Sequence, residues 1–313
     1  MATPSPIVMG IVNVTPDSFS DGGRWLDPAA AIAHGLQLRD DGADLLDVGG
    51  ESTRPGAAAV SEEEERRRVV PVVAGLADAG ARVSVDTMKA TVAEAALDAG
   101  ATLVNDVTAL RDPAMVRLVA DRDCDVCLVH MQGDPRTMQE NPRYDDVVAD
   151  VAAFLLERAD AAMAAGVRRE RIILDPGIGF GKTVQHNLEL LDRLHELVAL
   201  GFPVLVGTSR KSFLGRIAGR DTDDRLPGTI ATNVLALARG ATIFRVHDVA
   251  PVRDALAVAA ATLARTWTPT PDETTTTSRT TTSMTPTTSS TRVAPRPSSP
   301  SRSPDSPSTP TTG

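Results

Sequence analysis

The amino-acid sequence predicts a closed (β/α)₈ barrel followed by a disordered C-terminal tail. Residues 7–266 repeat one rhythm, in which a short apolar run leads through a polar loop to an alanine-rich helical stretch. The rhythm occurs eight times, and each of the eight apolar runs carries polar or ionisable residues at its C-terminal end. Eight such units match a barrel of this type, which takes roughly 250 residues.

The eight apolar runs are the predicted strands. They are rich in Val, Ile and Leu, as expected of parallel strands that are buried on both faces. In chain order they read IVMGIVNV, ADLLDVGG, RVSVDT, TLVNDV, DVCLVH, RIILDPG, PVLVGTS and TIFRVHD. Aromatic residues make up only 3% of the chain, so we expect an aliphatic core.

The stretches between the strands carry the signals of helix starts and ends. DPAAAIAHGLQLRDDG opens on Asp-Pro and closes on Gly, which suits a helix start and a helix end. SEEEERRRVVPVVAGLADAG begins with Ser61 and Glu64 at the spacing of a capping box. Its Glu–Arg pairs, spaced four apart from Glu62–Arg66 to Glu64–Arg68, indicate a solvated helix face.

An open doubly wound sheet has the same alternation and is the alternative fold. Such a sheet concentrates its site at one switch point, whereas a barrel gathers all eight carboxyl ends of its strands around one mouth. Because all eight ends are polar, we favour the barrel. The strand-end residues are Asn13, Asp47 with Glu51, Asp86, Asn105 with Asp106, His130, Asp175, Ser209 with Lys211, and Arg245 with His247.

Composition limits the classes of function. A net charge of -9 does not provide the basic footprint of a nucleic-acid-binding protein. No apolar stretch approaches the ~20 residues of a membrane span, and the N-terminus MATPSPIVMG lacks the features of a secretory signal. We therefore expect a cytoplasmic protein that binds neither nucleic acid nor membrane.

The composition changes near Thr268. Residues 268–313 are mostly Thr, Ser and Pro with few apolar side chains, too few to offset the entropy of ordering. We predict a catalytic barrel domain over residues 1–267 and a disordered tail over 268–313. An O-glycosylated stalk is the alternative for the tail, but no secretion signal supports it.

Cys124 and Cys127 form a CxxC pair, a spacing that redox proteins use at the start of a helix. Here the pair runs directly into LVH, which we interpret as a strand. Side chains three apart on a strand point to opposite faces. We therefore predict two buried structural thiols and no disulfide between them.

The segment ILDPGIGFGKT, residues 173–183, resembles a phosphate-binding loop at first sight. A P-loop has Gly five positions before its Gly-Lys-Thr, but Pro176 stands there and has no N–H to donate. The dinucleotide fingerprint fails as well, because Lys182 replaces its third glycine. The segment therefore gives only weak support to a nucleotide site.

Two groups of strand-end residues indicate the chemistry of the mouth. Asp86, Asn105 and Asp175, with little positive charge expected nearby, suit a ligand that presents several N–H donors, such as an aminopyrimidine edge. For Asp106 we favour a helix cap or loop brace. Asn13, Thr53, Arg54, Arg245 and His247 suit a phosphate or pyrophosphate, with Mg²⁺ held by Asn13 and phosphate oxygens.

Two glycine-containing loops follow the first two strands. TPDSFSDGGRW carries Phe19 and Asp21, and GGESTRPGAAAV carries Arg54 and Pro55. Loops of this kind can close over a substrate and exclude water. Ordinary mobile surface loops are the alternative.

Seven motifs resemble those of dihydropteroate synthase, a folate-pathway enzyme family, in the family's order. They are GIVNVTPDSFSDGG, DVGGESTRPGA, SVDT, NDV, DPGIGFGKT, GTSRKSF and RVHDV. The resemblance implies a (β/α)₈ barrel and a transferase that joins 4-aminobenzoate to 6-hydroxymethyl-7,8-dihydropterin diphosphate. Its products would be 7,8-dihydropteroate and pyrophosphate, and it implies Mg²⁺ as cofactor and a homodimer. Sulfonamides compete with aminobenzoate in the family.

The resemblance also implies roles for individual residues. The pterin would be bound by Asp86, Asn105, Asp175, Phe180, Lys211 and Arg245. The diphosphate would meet Asn13, Thr53, Arg54, Arg245 and His247, with Asn13 as the Mg²⁺ ligand. The aminobenzoate site would contain Phe19, Pro55, Lys211 and Ser212. The catalytic residues would be Asp21, Arg54, Lys211, Arg245 and His247.

Three alternatives remain at this stage. Lys211 could form a Schiff base, as lysines on barrel strands do in aldolases, but the SRKSF context does not favour it. A pterin-binding paralogue with another reaction, such as a methyltetrahydrofolate methyltransferase, would not need ESTRPG and SRKSF intact. A pterin-binding protein without catalytic activity would bind pterin but not turn it over.

Overall fold

Eight parallel strands form the centre of the protein. The structure is a computed structural model that describes residues 5–15, 27–52 and 59–266. Within these residues the strand order is β6-β5-β4-β3-β2-β1-β8-β7. A parallel bridge between Leu174 and Val204 then joins β6 to β7 and closes the ring. The strands are β1 (Ile7–Asn13), β2 (Leu45–Gly49), β3 (Val83–Asp86), β4 (Leu103–Asp106), β5 (Asp125–Val129), β6 (Ile172–Asp175), β7 (Leu205–Val206) and β8 (Ile243–Val246).

Helices surround this ring and follow the strands in sequence, which confirms the predicted barrel. They are α1 (Pro28–Asp40), α2 (Glu62–Asp78), α3 (Ala90–Asp98), α4 (Pro113–Arg122), α5 (Val147–Ala164), α6 (Val184–Asp192), α7 (Leu194–Val198), α8 (Ser212–Ala218), α9 (Leu226–Ala238) and α10 (Val249–Ala264). No helix within residues 5–15, 27–52 and 59–266 is long and apolar enough to cross a membrane. The predicted tail, 268–313, lies outside the described residues.

The start of α2 shows how local sequence sets a helix end. Ser61 Oγ accepts a hydrogen bond from Glu64 N at 3.3 Å, as the capping interpretation predicts. The Glu64 carboxylate instead binds Arg68 at 2.7 Å, one of the predicted pairs. It also takes Arg67 at 2.7 Å, so Arg67 pairs three residues back instead of with Glu63.

Strand β7 is shorter than the apolar run PVLVGTS predicted. Pro203 stands two residues before the first residue of β7 and has no N–H for the strand ladder. Its carbonyl still accepts from Leu174 N at 2.9 Å. The ring is therefore closed at this point by few hydrogen bonds.

Side chains alternate between the inside of the barrel and the layer of helices. Met9, Leu45, Cys127, Ile173 and Ile243 belong to one apolar cluster inside the ring. Their sequence neighbours, such as Val8, Leu46 and Phe244, pack in the larger cluster outside it. Side chains two apart share a face of a strand. Polar residues that lie two or four positions after these inner-cluster residues on the same strand therefore point into the mouth.

The two cysteines fit this alternation. Cys127 lies in the inner cluster and Cys124 in the outer one. Both are buried free thiols, as predicted. Burial raises the pKa of Cys124 to about 11 and that of Cys127 well above its ordinary value, so neither is a reactive thiolate.

Candidate active site

A polar layer lies above the inner apolar cluster, at the carboxyl ends of the strands. Asp47 stands two residues after Leu45 on β2, and Arg245 two residues after Ile243 on β8. Asp86 on β3 is aligned with Gly49 of β2 and with Asn105 of β4. Asp47 lies in the middle of its strand, with 0% of its surface exposed, so its prediction as a strand-end residue was wrong by two positions.

Arg245 is enclosed by carboxylates. Its Nε donates to Asp47 Oδ2 at 2.5 Å and its Nη2 to Asp86 Oδ2 at 2.7 Å. Burial lowers the pKa of Arg245, but the charges of Asp47 and Asp86 outweigh burial and leave the pKa raised. The expectation of little positive charge near the acidic group is therefore wrong. The family resemblance implies that Arg245 meets both the pterin and the diphosphate, but no motif in the sequence shows that it pairs with two carboxylates.

Asn105 takes its orientation from the same carboxylate. Its Nδ2 donates to Asp47 Oδ2 at 3.1 Å, and its Oδ1 is buried with no hydrogen-bond partner among the described residues. A buried carbonyl oxygen without a donor is costly. The amide therefore presents an acceptor that a ligand N–H could satisfy.

Burial also shifts the acids toward their neutral forms. It raises the pKa of Asp86 to about 7, against the opposing charge of Arg245 and with the support of Asp47. It raises the pKa of Asp175 as well, opposed by Lys211 and by the Gly177 N–H. That N–H donates to Asp175 Oδ1 at 2.7 Å, so Oδ2 is the atom of Asp175 left for a ligand among the described residues.

Lys211 crosses the mouth from the loop after β7. Its Nζ donates to the carbonyl of Ile178 and lies 4.3 Å from the centre of the Phe180 ring. Burial lowers its pKa to about 8, although the charge of Asp175 opposes this. Gly179 permits the approach, because a Cβ there would lie 2.9 Å from Lys211 Cδ and its φ is +85°.

The loop after β6 is held from several sides. Asn187 Oδ1 accepts from Gly179 N at 2.7 Å, and Gln139 Nε2 donates to Gly179 O at 2.7 Å. Tyr144 donates to Gly181 O at 2.8 Å. Thr183 caps α6 by accepting from His186 N at 3.1 Å, so it stabilises the start of the helix that follows the loop.

His247 lies beyond the end of β8, next to the loop after β7. Ser209 Oγ is 2.9 Å from His247 Nδ1 and also accepts from His247 N at 3.1 Å. Arg210 donates to Asp248 through Nε at 3.0 Å and Nη2 at 2.5 Å. These contacts tie the loops after β7 and β8 together and fix the position of the histidine.

The remaining predicted site residues are placed as follows. Asn13 is half-buried at the end of β1 and has the strand alternation of Met9, which faces the inside. Ser212 is exposed at the start of α8, next to Lys211. Asp106 accepts from Thr108 N, Thr108 Oγ1 and Leu110 N, so it braces the loop after β4, as favoured. Phe19, Asp21, Thr53, Arg54 and Pro55 lie outside the described residues.

The structure thus brings Asp86, Asn105, Asp175, Lys211 and Arg245 into one mouth, with Asp47 beneath them. The sequence predicts Asp47 among the strand-end residues but gives it no role in binding or catalysis, although an acid between Leu45 and Gly49 in a buried strand is a usable signal. It also missed the pair of His130 and Lys182, whose Nδ1 and Nζ are 2.8 Å apart. Chemically, the mouth offers acceptors to a flat N–H-rich ring and two cations, Lys211 and Arg245, beside them.

Comparison with known proteins identifies the family. Residues 9–247 match the pterin binding enzyme family. A dihydropteroate synthase of Neisseria meningitidis serogroup B is 51% identical over 260 residues, which are 81% of this chain and 91% of that protein.

Two solved structures of Xanthomonas albilineans dihydropteroate synthase have the same fold. One, with 4-aminobenzoic acid, is 53% identical with a TM-score of 0.77 and covers 82% of this chain and 92% of its own. The other, in complex with 7,8-dihydropteroate, is 49% identical with a TM-score of 0.75 and covers 82% and 94%. The chain belongs to the pterin binding enzyme family and, within it, to the dihydropteroate synthases.

Proposed function

We propose that the protein condenses 6-hydroxymethyl-7,8-dihydropterin diphosphate with 4-aminobenzoate and releases pyrophosphate. The observation that carries this is the set of buried acceptors at the ends of β3, β4 and β6. Asp86 Oδ1, Asn105 Oδ1 and Asp175 Oδ2 have no protein donor among the described residues. They match the N–H groups of an aminopyrimidine edge, which needs acceptors and no donors.

Lys211 would bind the opposite edge of the same pterin ring. Its amine, already held by the Ile178 carbonyl, can donate a further hydrogen to a ring carbonyl or nitrogen. The flat guanidinium of Arg245 can stack on a pterin while its donors stay on Asp47 and Asp86. Phe180, beside Lys211, would form part of the pocket wall.

The charges suit a dissociative C–N bond formation. The bond between the pterin methylene and the diphosphate oxygen breaks, and its electron pair leaves with the oxygen. The methylene cation that forms is attacked by the aminobenzoate nitrogen, which then loses a proton. Asp47, Asp86 and Asp175 place negative charge near the cation, and His247 is held where it can donate to the leaving group.

Asn13 fits a magnesium ion that arrives with the diphosphate. No group of three or more His, Cys, Asp or Glu in the described parts of the chain could hold a metal by itself. Mg²⁺ is commonly bound through one or two protein oxygens, waters and substrate phosphates, and the Asn13 amide oxygen is such a ligand. When bound, the ion would stabilise negative charge on the departing diphosphate.

The two-substrate reaction tests the proposal directly. Purified full-length protein with Mg²⁺, pterin diphosphate and 4-aminobenzoate should release pyrophosphate and form 7,8-dihydropteroate, and omission of either substrate should stop both. A sulfonamide should compete with 4-aminobenzoate only. Tight pterin binding without product would favour a protein that binds pterin but does not catalyse this reaction.

We further infer a homodimer that uses the neighbouring helices α9 and α10. Leu235 on α9 is 49% exposed and Val258 on α10 is 70% exposed, and an interface across these two contacting helices would cover both side chains. Light scattering on the full chain should give twice the mass of 32.9 kDa. Leu235→Lys with Val258→Lys should give the monomer mass. The cytoplasmic location stays a prediction.

A further inference from the structure

Lysine is rare in this chain and occurs only in enclosed positions. Three of the 32 basic residues are lysines, and the rest are arginines. Lys89 binds the carboxylates of Glu51 and Glu65, and Lys211 belongs to the proposed substrate site. Lys182, the third, is 3% exposed and has no role in that reaction so far.

Lys182 folds back under its own loop. Its Nζ lies 2.8 Å from His130 Nδ1 and donates to Phe180 O at 3.0 Å. Burial lowers the pKa of Lys182 well below its ordinary value and lowers that of His130 to about 2, which keeps the imidazole neutral. The Lys182 amine has two acceptors within hydrogen-bond distance, His130 Nδ1 and the Phe180 carbonyl.

The segment fixed in this way is the one that holds Lys211. The Ile178 carbonyl accepts from Lys211 Nζ, and the Phe180 ring packs against it. The segment also lies directly on β5, since a Cβ on Gly177 would come within 1.8 Å of His130 O. Lys182 therefore connects the end of β5 to the two groups that set the position of Lys211.

We propose that Lys182 is a positioning residue, which acts through the Ile178 carbonyl and the Phe180 ring to place the Lys211 amine. This inference rests on the proposed function for the consequence in turnover, but the position of Lys211 can be measured without it. Asn187, Gln139 and Tyr144 hold other atoms of the loop. Loss of Lys182 should therefore shift the loop locally and leave the barrel folded.

A matched pair of variants separates positioning from general stability. Lys182→Met keeps an unbranched side chain, one heavy atom shorter, and removes both hydrogen bonds. Arg171→Met removes Arg171 Nη1 to Asp125 Oδ1, 2.9 Å, which ties the same two strands at their opposite ends. We expect kcat/KM for pteroate formation to fall about 10- to 100-fold in Lys182→Met, as for a small misplacement of a reacting group, and less than about twofold in Arg171→Met.

The second measurement is acetylation of the lysines by an N-hydroxysuccinimide ester, followed by mass spectrometry, in the absence of substrates. Only three lysines can react, so the rate at Lys211 is resolved in the full chain. Asp175, Arg245 and Asp86 are the charged groups that act most on Lys211, and the amines of Lys182 and Lys211 also interact with each other. The midpoint of its pH–rate profile should be near pH 8 in the wild type and in Arg171→Met, and should rise toward about 10.5 in Lys182→Met.

Each outcome decides the proposal. A raised midpoint with lower turnover supports it; an unchanged midpoint, or a raised midpoint with normal turnover, overturns it. If the wild type forms no pteroate, the proposed function is wrong. The midpoint of the Lys211 acetylation profile, compared between wild type and Lys182→Met, then tests by itself whether Lys182 places Lys211. If Lys182→Met does not fold, Lys182→Met with His130→Leu, which also removes the imidazole that would be left unpaired, replaces it. Failure of both to fold would make Lys182 a stability residue and overturn the proposal.

Discussion

Arg245 and Asp86 form an ion pair across the mouth of the barrel, with Nη2 and Oδ2 2.7 Å apart. The two residues are 159 positions apart in sequence and meet because β8 and β3 belong to one closed ring. Asp47 takes the Nε of the same guanidinium at 2.5 Å. The proposed stacking surface for the pterin is therefore a guanidinium whose plane is set by two carboxylates.

Arg245→Lys should damage pterin recognition although it keeps the charge. A lysine offers a point charge and cannot donate to Asp47 and Asp86 from one flat fork. Loss of a hydrogen bond to a charged group costs about 1.5–3 kcal/mol, so we expect kcat/KM for the pterin diphosphate to fall roughly 10- to 100-fold. Steady-state kinetics should show little change in the KM for the aminobenzoate substrate. Arg171→Lys, at the other end of the barrel, is the control, and a similar loss there would contradict the assignment.

Asp47→Asn should move the pH dependence of pterin binding. In the wild type, burial raises the pKa of Asp86 to about 7, and the charge of Asp47 contributes to the increase. Binding to an ionised Asp86 should therefore strengthen as the pH rises through about 7. Without the Asp47 charge the pKa of Asp86 falls, so the same increase should occur at lower pH.

Calorimetric titration with 7,8-dihydropteroate between pH 5 and pH 9 measures this shift. The charged groups that act on Asp86 are Arg245, Asp47, Glu65 and Asp106, and only one of them is changed. Asp123→Asn removes an exposed carboxylate that pairs with Arg168 and should leave the profile in place. An unshifted profile in Asp47→Asn would show that Asp86 does not control binding.

Asp175→Ala and Phe19→Ala should separate the two substrates. Asp175 faces the mouth with one oxygen left for a ring N–H, so its loss should weaken pterin binding. Phe19 lies outside the described residues, and its family resemblance predicts that its loss raises the KM for the aminobenzoate substrate. Kinetics with each substrate varied in turn would contradict this division if both variants lost affinity for both substrates.

The fold could be predicted because the barrel repeats its signal eight times. Each apolar run carries polar residues at or close to its carboxyl end, so errors at single boundaries did not alter the topology. Strand β7 is the exception in length, since Pro203 removes a donor that the apolar pattern does not show.

The site could be predicted only as far as strand-end residues reveal it. Asp86, Asn105 and Asp175 stand where the pattern places them, but Arg245 reaches carboxylates on strands that are distant in sequence. The partner of Lys182 is His130, 52 residues earlier. No local pattern reports such pairings, because they arise from the register and closure of the ring.

Ser209→Ala should affect the diphosphate end of the reaction and leave the pterin end intact. Ser209 Oγ already accepts from His247 N, so its own hydrogen can go to the ring Nδ1 2.9 Å away. The ring proton is then on Nε2, the nitrogen that would donate to a leaving diphosphate oxygen. Loss of the hydroxyl removes one hydrogen bond, which is worth roughly 1.4 kcal/mol. We therefore expect kcat to fall by about tenfold.

Affinity for 7,8-dihydropteroate, which carries no diphosphate, should not change in Ser209→Ala. Ser84→Ala is the matched control, because Ser84 Oγ is buried on β3 without a hydrogen-bond partner among the described residues. Its removal should leave both kcat and product affinity within about twofold of the wild type. Product affinity measures binding at the pterin end, and kcat measures the departure of the diphosphate. Equal losses of product affinity and kcat in Ser209→Ala would mean that the serine supports the whole mouth and has no specific effect on His247.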